Sequence, residues 1–107
     1  MPKNYVYILY CSDSTLYTGY TNDLAKRFSA HSQYKGAKYT KVKKRHPLKI
    51  CYVEQLSTKS DALKREIAIK KLSRTEKINL IKKQTWSSQN LIQQLDNTFL
   101  QKNFKLL

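Results

Sequence analysis

The sequence is poor in the residues that interrupt regular structure. Only two glycines and two prolines occur in 107 residues, and 40% of the residues are hydrophobic. This composition argues against a disordered chain and against a loop-rich scaffold built on disulfides. The length is close to the usual size of one domain. We therefore expect a single domain that folds around one hydrophobic core.

Cysteine is also scarce, and long apolar runs are absent. No stretch approaches the roughly 18 apolar residues that a membrane helix needs, and no secretion signal is visible at the N-terminus. Cys11 and Cys51 each lie in an apolar, strand-like run, so we expect them to be reduced thiols of the core. Without clustered histidines, two cysteines do not provide a zinc site of the usual spacing.

Acidic residues are few. Asp and Glu number seven against 21 Lys and Arg, which gives a formal net charge of +14. Solubility alone does not require so large an excess. Because Lys and Arg neutralise phosphates and release counterions, nucleic acid is the first partner that this charge indicates. A ribosome-associated protein, a protein at a membrane surface and a merely soluble protein remain as alternatives.

The first twenty residues predict a β-hairpin. Residues 5–11 are dense in aromatic and β-branched side chains, and residues 15–20 alternate in strand fashion after a polar turn. This pattern predicts two antiparallel strands. With a turn centred near the middle of the polar cluster, Tyr17 pairs with Leu9. Tyr7 and Tyr17 then face the same side of the hairpin.

A helix is expected next, over about residues 22–33. Asn22 fits its N-cap, and apolar residues recur at helical spacing after it. Arg27, His31 and Tyr34 follow at i, i+4 and i+7, so they share one side of this helix.

A basic loop and a third strand follow. Residues 35–49 contain seven Lys or Arg and no acid. Residues 48–56 are strand-like, and Pro47 suits a strand start because proline cannot donate to a sheet. The three strands predict an α/β (α+β) fold in which a small, mostly antiparallel sheet is flanked by helices.

The rest of the chain is predicted to be helical. Capping-box patterns at 58–61 and 73–76 predict helices over about 60–72 and 74–84. After Trp86 the chain is rich in Ser, Gln and Asn and then has apolar residues at helical spacing. We expect residues 85–107 to form a C-terminal extension that is helical.

Several short motifs occur in the order of one known family. They are, along the chain, Tyr5-Val6-Tyr7, Tyr17-Thr18-Gly19, Arg27, His31 and Glu66. In this set the sequence resembles the GIY-YIG nuclease family, over about residues 4–84. The runs 36–40 and 70–73 are similar to its small stand-alone bacterial members. Tyr5-Val6 stands where the family has Gly-Ile, and Thr18 stands where it has Ile, so both motifs keep their tyrosines.

The resemblance implies an activity and its requirements. Residues 1–84 would be a nuclease domain that hydrolyses DNA phosphodiester bonds as an endonuclease, in repair or in processing of structured DNA. The implied cofactor is Mg²⁺, with Mn²⁺ as a substitute. DNA is the first expected partner and RNA the second, with a protein partner as a source of specificity. A cytoplasmic, nucleoid-associated location follows, with no membrane. Oligomeric state stays open.

The implied catalytic residues have distinct roles. Tyr17 would be the general base or a relay to one, and because a phenol with a pKa of about 10 is a poor base, cations such as Arg27 must favour the phenolate. Arg27 would hold phosphate oxygens and stabilise the transition state. His31 would orient the water, help Tyr17 lose its proton or protonate a product. Glu66 would be the single protein ligand of the metal. Tyr7 would share the site with Tyr17.

Each of these residues also has a purely structural interpretation. Tyr17 could pack on the sheet, Arg27 could be a solvated cation, and His31 could be a neutral surface histidine. Glu66 could pair with Lys70 four residues on, although such a pair contributes only about 0.2 to 0.5 kcal/mol.

Gly19 and the basic loop complete the predicted site. A glycine in a strand suggests a bulge, a close approach of the backbone to phosphate, or an ordinary strand end. The loop would hold the nucleic-acid backbone while an aromatic ring stacks on a base, or would be a solvated run of charge. The predicted binding residues are Lys35, Lys38, Tyr39, Lys41, Lys43, Lys44 and Arg45. DNA binding without cleavage is the second functional hypothesis, and a structural RNA-binding protein is the third.

Overall fold

A computed structural model describes residues 3–33 and 48–83 of the protein. The elements are β1 (Asn4–Tyr10), β2 (Leu16–Thr21), α1 (Leu24–Ser32), β3 (Lys49–Leu56), α2 (Lys59–Lys70) and α3 (Arg74–Lys82). This is the predicted succession, with bounds that differ by one or two residues. Lys49, which the sequence analysis placed at the overlap of the basic loop and the third strand, is the first residue of β3. Residues 35–47 of that loop and the C-terminal extension lie outside the described ranges.

The three strands form one antiparallel sheet in the order β2-β1-β3. β1 is central because both neighbours pair with it along most of its length, and its residues Asn4 to Leu9 are all buried. The register with β3 shifts between Ile8 and Leu9, while the register with β2 is continuous. The predicted α+β fold with a small antiparallel sheet is confirmed.

The sheet separates two clusters of buried side chains, one on each face. The cluster on the α1 side comprises Tyr5, Tyr7, Leu9, Cys11, Leu24, Leu48, Ile50 and Val53, with Tyr17 and Phe28 packed against it. The cluster on the α2 and α3 side is built on Val6, Ile8, Cys51, Tyr52, Ala62, Ile69 and Ile81. Alternate residues of β1 therefore serve opposite faces, as the pleat of a strand requires. The single predicted core is thus two layers that share one sheet.

The helix starts follow from local capping. Ser73 accepts a hydrogen bond from the Glu76 amide and the Glu76 carboxylate accepts one from the Ser73 amide, so the predicted capping box of α3 is confirmed. Thr58 caps α2 by accepting from the Asp61 amide. For α1 the prediction of Asn22 as N-cap is wrong. Asp23 accepts from the amide three residues on and its carbonyl accepts from the amide four residues on, so Asp23 caps this helix.

The cysteines and the helix lengths agree with the sequence analysis. Cys11 and Cys51 are fully buried free thiols, and burial raises the pKa of Cys51 far above its usual range. Within residues 3–33 and 48–83, the structure contains no helix long and apolar enough to span a membrane.

Candidate active site

The hairpin brings two tyrosines to one face of the sheet. Tyr17 pairs with Leu9, and Tyr7 pairs with Gly19, so the predicted register is confirmed. Paired residues of antiparallel strands lie on the same face, and residues two apart share it. Tyr7 and Tyr17 therefore both lie on the α1 side. Tyr7 is 1% exposed whereas Tyr17 is half-buried, so only Tyr17 is open to solvent to any extent.

The absence of a side chain at Gly19 leaves the space that the Tyr7 ring occupies. A Cβ atom at Gly19 would lie 2.5 Å from the Tyr7 hydroxyl oxygen and 2.6 Å from Cζ. The phenol therefore lies directly over the Gly19 backbone, at a distance that any side chain would prevent. The β1–β2 register is continuous through this pair, so a bulge, one of the three interpretations of Gly19 offered by the sequence, is wrong. The close approach at Gly19 is made by a side chain of the protein itself.

Arg27 joins the two tyrosines. It lies in the second turn of α1, half-buried, and its guanidinium donates hydrogen bonds to the hydroxyl oxygens of Tyr7 and Tyr17. Both contacts raise the pKa of Arg27, which stays cationic. The Arg27 Nε atom is buried and has no hydrogen-bond acceptor within the described parts of the chain. One of the five N–H donors of this guanidinium therefore has no internal acceptor in the described residues.

The acid–base state of Tyr7 differs from what a general base needs. Burial raises the pKa of Tyr7 to about 12, and the hydrogen bond from Arg27 only partly opposes this effect. The charge of Glu66 acts in the same direction as burial. Tyr7 is therefore a neutral phenol at physiological pH, which can donate a hydrogen bond but cannot accept a proton.

Glu66 approaches the tyrosines from the opposite layer. It lies on α2 between Ala62 and Ile69, the two fully buried residues of this helix, so it belongs to the stripe that faces the sheet. Its side chain is 17% exposed, and its carboxylate is near enough to Tyr7 to raise the pKa of that phenol. The carboxylate also pairs with Lys70 at 3.4 Å, which is the alternative partner considered from the sequence.

A second polar network fixes the helix that holds Glu66. Arg65 Nε donates to both carboxylate oxygens of Glu54 at 3.0 Å, and the Tyr52 hydroxyl donates to the same carboxylate at 2.5 Å. Glu54 and Tyr52 lie on β3, so the network joins α2 to the sheet one residue before Glu66. The two oxygens of Glu54 share this one N–H, and the phenol adds a second donor, so the carboxylate is held both from α2 and from β3. No periodic pattern predicts the contact, because it links residues eleven positions apart.

The other predicted site residues fall into two groups. His31 lies in α1, one turn after Arg27, which places its backbone on the same side of the helix. The loop residues from Lys35 to Arg45 lie outside the described residues. Tyr7, Tyr17 and Arg27 are in direct contact, with Glu66 close enough to act on Tyr7 electrostatically.

Glu66 is the carboxylate of this cluster that would hold a metal ion. In the described ranges, no group of three or more His, Cys, Asp or Glu side chains comes together. A site with a single carboxylate suits Mg²⁺, which keeps most of its waters and is bound by one or two carboxylates together with phosphate oxygens. Glu66 is half-buried, so it provides such an oxygen while remaining accessible.

Comparison with known proteins agrees with this geometry. Residues 3–79 match the model of the GIY-YIG catalytic domain. A UPF0213 protein from Limosilactobacillus reuteri is 51% identical over 75 residues, which cover 70% of this chain and 78% of that protein. A UPF0213 protein from Syntrophus aciditrophicus is 55% identical over 83 residues, which cover 77% of this chain and 93% of that protein.

Two solved structures are also similar. The solution NMR structure of a UPF0213 protein from Bacillus halodurans has a TM-score of 0.50 at 39% identity, covering 75% of this chain and 83% of that one. The solution NMR structure of a protein from E. faecalis has a TM-score of 0.55 at 39% identity, covering 77% of this chain and 85% of that one. The match to the catalytic-domain model spans more than half of the sequence, with the hairpin, α1 and α2 all inside it. The chain therefore belongs to the GIY-YIG family, a family of nuclease domains, and is similar to the UPF0213 proteins.

Proposed function

We propose that the protein is an Mg²⁺-dependent endonuclease that hydrolyses DNA phosphodiester bonds. One observation supports this most strongly: Arg27 donates to both Tyr7 and Tyr17, and the carboxylate of Glu66 lies within electrostatic range of Tyr7. A guanidinium and a neutral phenol can bind phosphate oxygens, and a half-exposed phenol can exchange protons with water. Together with the net charge of +14, this arrangement suits a phosphodiester substrate.

The residues have separate tasks in this proposal. Tyr17 accepts the proton of the attacking water, directly or through a relay, because it is the more exposed phenol and its hydroxyl accepts from Arg27. Tyr7 stays protonated and holds its partners in place. Arg27, which stays cationic, stabilises the charge that develops on the phosphate. His31 assists the proton transfer from the next turn of α1.

Glu66 is the residue that would hold the metal ion. When bound, Mg²⁺ supplies charge neutralisation at the phosphate and makes coordinated water more acidic. Lys70 Nζ lies 3.4 Å from the Glu66 carboxylate and orients it. The Arg65–Glu54 pair fixes α2, so that Glu66 faces the sheet.

Cleavage assays test this proposal. The purified protein is incubated with supercoiled, branched and single-stranded DNA and with structured RNA, in Mg²⁺, in Mn²⁺ and in EDTA. Glu66→Gln is compared with wild type, and Asp61→Asn, an exposed carboxylate of the same helix, is the matched control. We expect metal-dependent DNA products, a rate that falls on the order of 100-fold or more in Glu66→Gln, and no change in Asp61→Asn.

The same assays separate the other hypotheses. Unchanged Mg²⁺-dependent cleavage by Glu66→Gln would remove Glu66 from the site. Binding of DNA without products in any metal would favour a non-catalytic binding protein, and a clear preference for structured RNA would favour the third hypothesis.

The basic loop is proposed as the main nucleic-acid contact, on the ground of its charge alone. Affinity for DNA should then fall steeply with salt, since each phosphate contact releases counterions. Replacing Lys41, Lys43 and Lys44 with Gln should flatten that dependence. An unchanged slope would exclude the loop from the interface.

A further inference from the structure

A depression beside the hairpin turn has a cationic lining. It has a volume of about 230 Å³ and is lined by Thr15, Leu16, Arg74 and Lys77. This is smaller than the roughly 300 Å³ at which pockets for drug-sized ligands begin, so it suits a group of a few atoms. Among the lining residues that lie in 3–33 and 48–83, two are cations and none is acidic.

The two cations are not neutralised from within the described structure. Lys77 is half-buried and has no carboxylate partner in residues 3–33 and 48–83. Burial, with the charge of Lys70 adding to it, lowers the pKa of Lys77. Arg74 donates one hydrogen bond to the Ser14 carbonyl, which holds the guanidinium against the turn and leaves most of its five donors unused.

The carboxylates on the bordering elements have other partners. Asp13 accepts from the amide and the hydroxyl of Thr15, at 3.2 and 2.6 Å. Glu76 closes the capping box by accepting from the Ser73 amide, at 3.1 Å. Lys77 is half-buried and Arg74 is exposed beside it. An anion bound between them would offset the burial of Lys77 and its repulsion by Lys70.

Lys70 connects this depression to the catalytic cluster. Its Nζ lies 3.4 Å from the Glu66 carboxylate, and its charge acts on Lys77. The cations therefore continue from Glu66 along the C-terminal end of α2 to the start of α3.

We propose that the depression lined by Arg74 and Lys77 is a second phosphate subsite, which holds a backbone phosphodiester of a DNA strand extending away from the catalytic cluster. This inference rests on the proposed function, since it takes DNA as the substrate. The subsite positions the strand and takes no part in bond cleavage.

DNA binding in EDTA tests the subsite without requiring cleavage. Dissociation constants are measured by fluorescence anisotropy at several salt concentrations for wild type, Arg74→Gln/Lys77→Gln and the control pair Lys59→Gln/Lys64→Gln. The control removes the same charge from exposed positions on α2. We expect the subsite pair to raise Kd roughly tenfold at 0.1 M salt and to flatten the salt slope by about one unit, as loss of one phosphate contact predicts.

The controls keep the outcome clear. A subsite pair that changes Kd and slope no more than the control pair would overturn the proposal. Because Arg74 also binds the hairpin turn, thermal melting checks that the subsite pair is folded. Lys77→Gln alone loses no internal partner in the described structure, and it should still raise Kd more than the single control Lys59→Gln does. If wild type cleaves DNA but the subsite pair and the control pair have equal salt slopes, the subsite is wrong and the proposed function stands. If wild type does not cleave DNA but the two salt slopes differ, the proposed function is wrong and the subsite stands.

Discussion

The two faces of the sheet differ in what their side chains do. On the α2 and α3 face the buried cluster is mainly aliphatic, with Val6, Ile8, Ile69 and Ile81 fully buried. Both clusters include tyrosines, but on the α1 face Tyr7 and Tyr17 accept hydrogen bonds from the cationic Arg27. We call the two faces the aliphatic face and the tyrosine face. The α2 and α3 face therefore mainly stabilises the fold. On the α1 face the same residues both pack in the core and form the candidate active site. Glu66 is the exception, a carboxylate from the aliphatic side that acts on the tyrosine side.

The largest effect is expected from removing one hydroxyl on the tyrosine face. Tyr17→Phe should lower the rate of DNA cleavage by about 100- to 10,000-fold, because a general base contributes on that order. The unfolding free energy should change little, since Tyr17 is half-buried and keeps its ring. Tyr20→Phe is the matched control, because its hydroxyl on the opposite face donates to Asn4 at 3.0 Å. Equal rates for the two variants would contradict the assignment.

On the aliphatic face the largest effect should be on stability. Ile69→Ala removes a fully buried side chain of α2, and such a change costs about 2 to 5 kcal/mol of unfolding free energy. Chemical denaturation measures this loss. The folded fraction should keep its specific activity per molecule, as long as α2 stays docked through Arg65 and Glu54. A loss of activity with unchanged stability would contradict the division between the faces.

A smaller effect on stability is expected at Gly19. Gly19→Ala places a methyl group within 2.6 Å of two atoms of the Tyr7 phenol, which is buried and has little room to move. Overpacking of this kind costs about 1 to 3 kcal/mol. Because the ring must shift, its contact with Arg27 should weaken and cleavage should slow as well. An alanine variant with wild-type stability and activity would show that the approach of Tyr7 to Gly19 is not required.

The smallest effect is expected in an alkaline titration of the Tyr7 phenol, which has no signal at neutral pH. The absorbance difference between wild type and Tyr7→Phe should show one phenol that ionises near pH 12, because burial raises the pKa of Tyr7 from 10.0 to about 12. The folded value exceeds the unfolded one, so the stabilisation by protonated Tyr7 is complete below pH 10 and declines as the pH rises toward 12. A difference that titrates at or below pH 10 would contradict a neutral, buried Tyr7.

Much of the fold followed from local patterns. The hairpin register was predictable because strands alternate with a period of two and the polar turn is short, which fixed Tyr17 opposite Leu9. The capping boxes located the starts of α2 and α3 because they depend on residues three positions apart. The α1 cap was misplaced by one residue, since Asn22 and Asp23 are both good caps and the Thr21 hydroxyl, which accepts from the Asp23 amide, decides between them.

The site was predictable only in part. The resemblance to a known family named Tyr7, Tyr17, Arg27 and Glu66, but not how they meet. The contact between Tyr7 and Gly19 depends on the packing of a whole face, so composition suggested a bulge in its place. The Arg65–Glu54 pair and the cationic depression join residues far apart in sequence, and no periodicity reports such contacts.

The central claim is that residues from both layers act as one catalytic unit. Single-turnover cleavage of DNA by Glu66→Gln, Tyr17→Phe and the double variant tests it most directly, because groups that act together give effects that do not multiply. We predict that the double variant cleaves about as slowly as the slower single variant. Rates whose losses multiply in full, or single variants that cleave like wild type, would contradict the account.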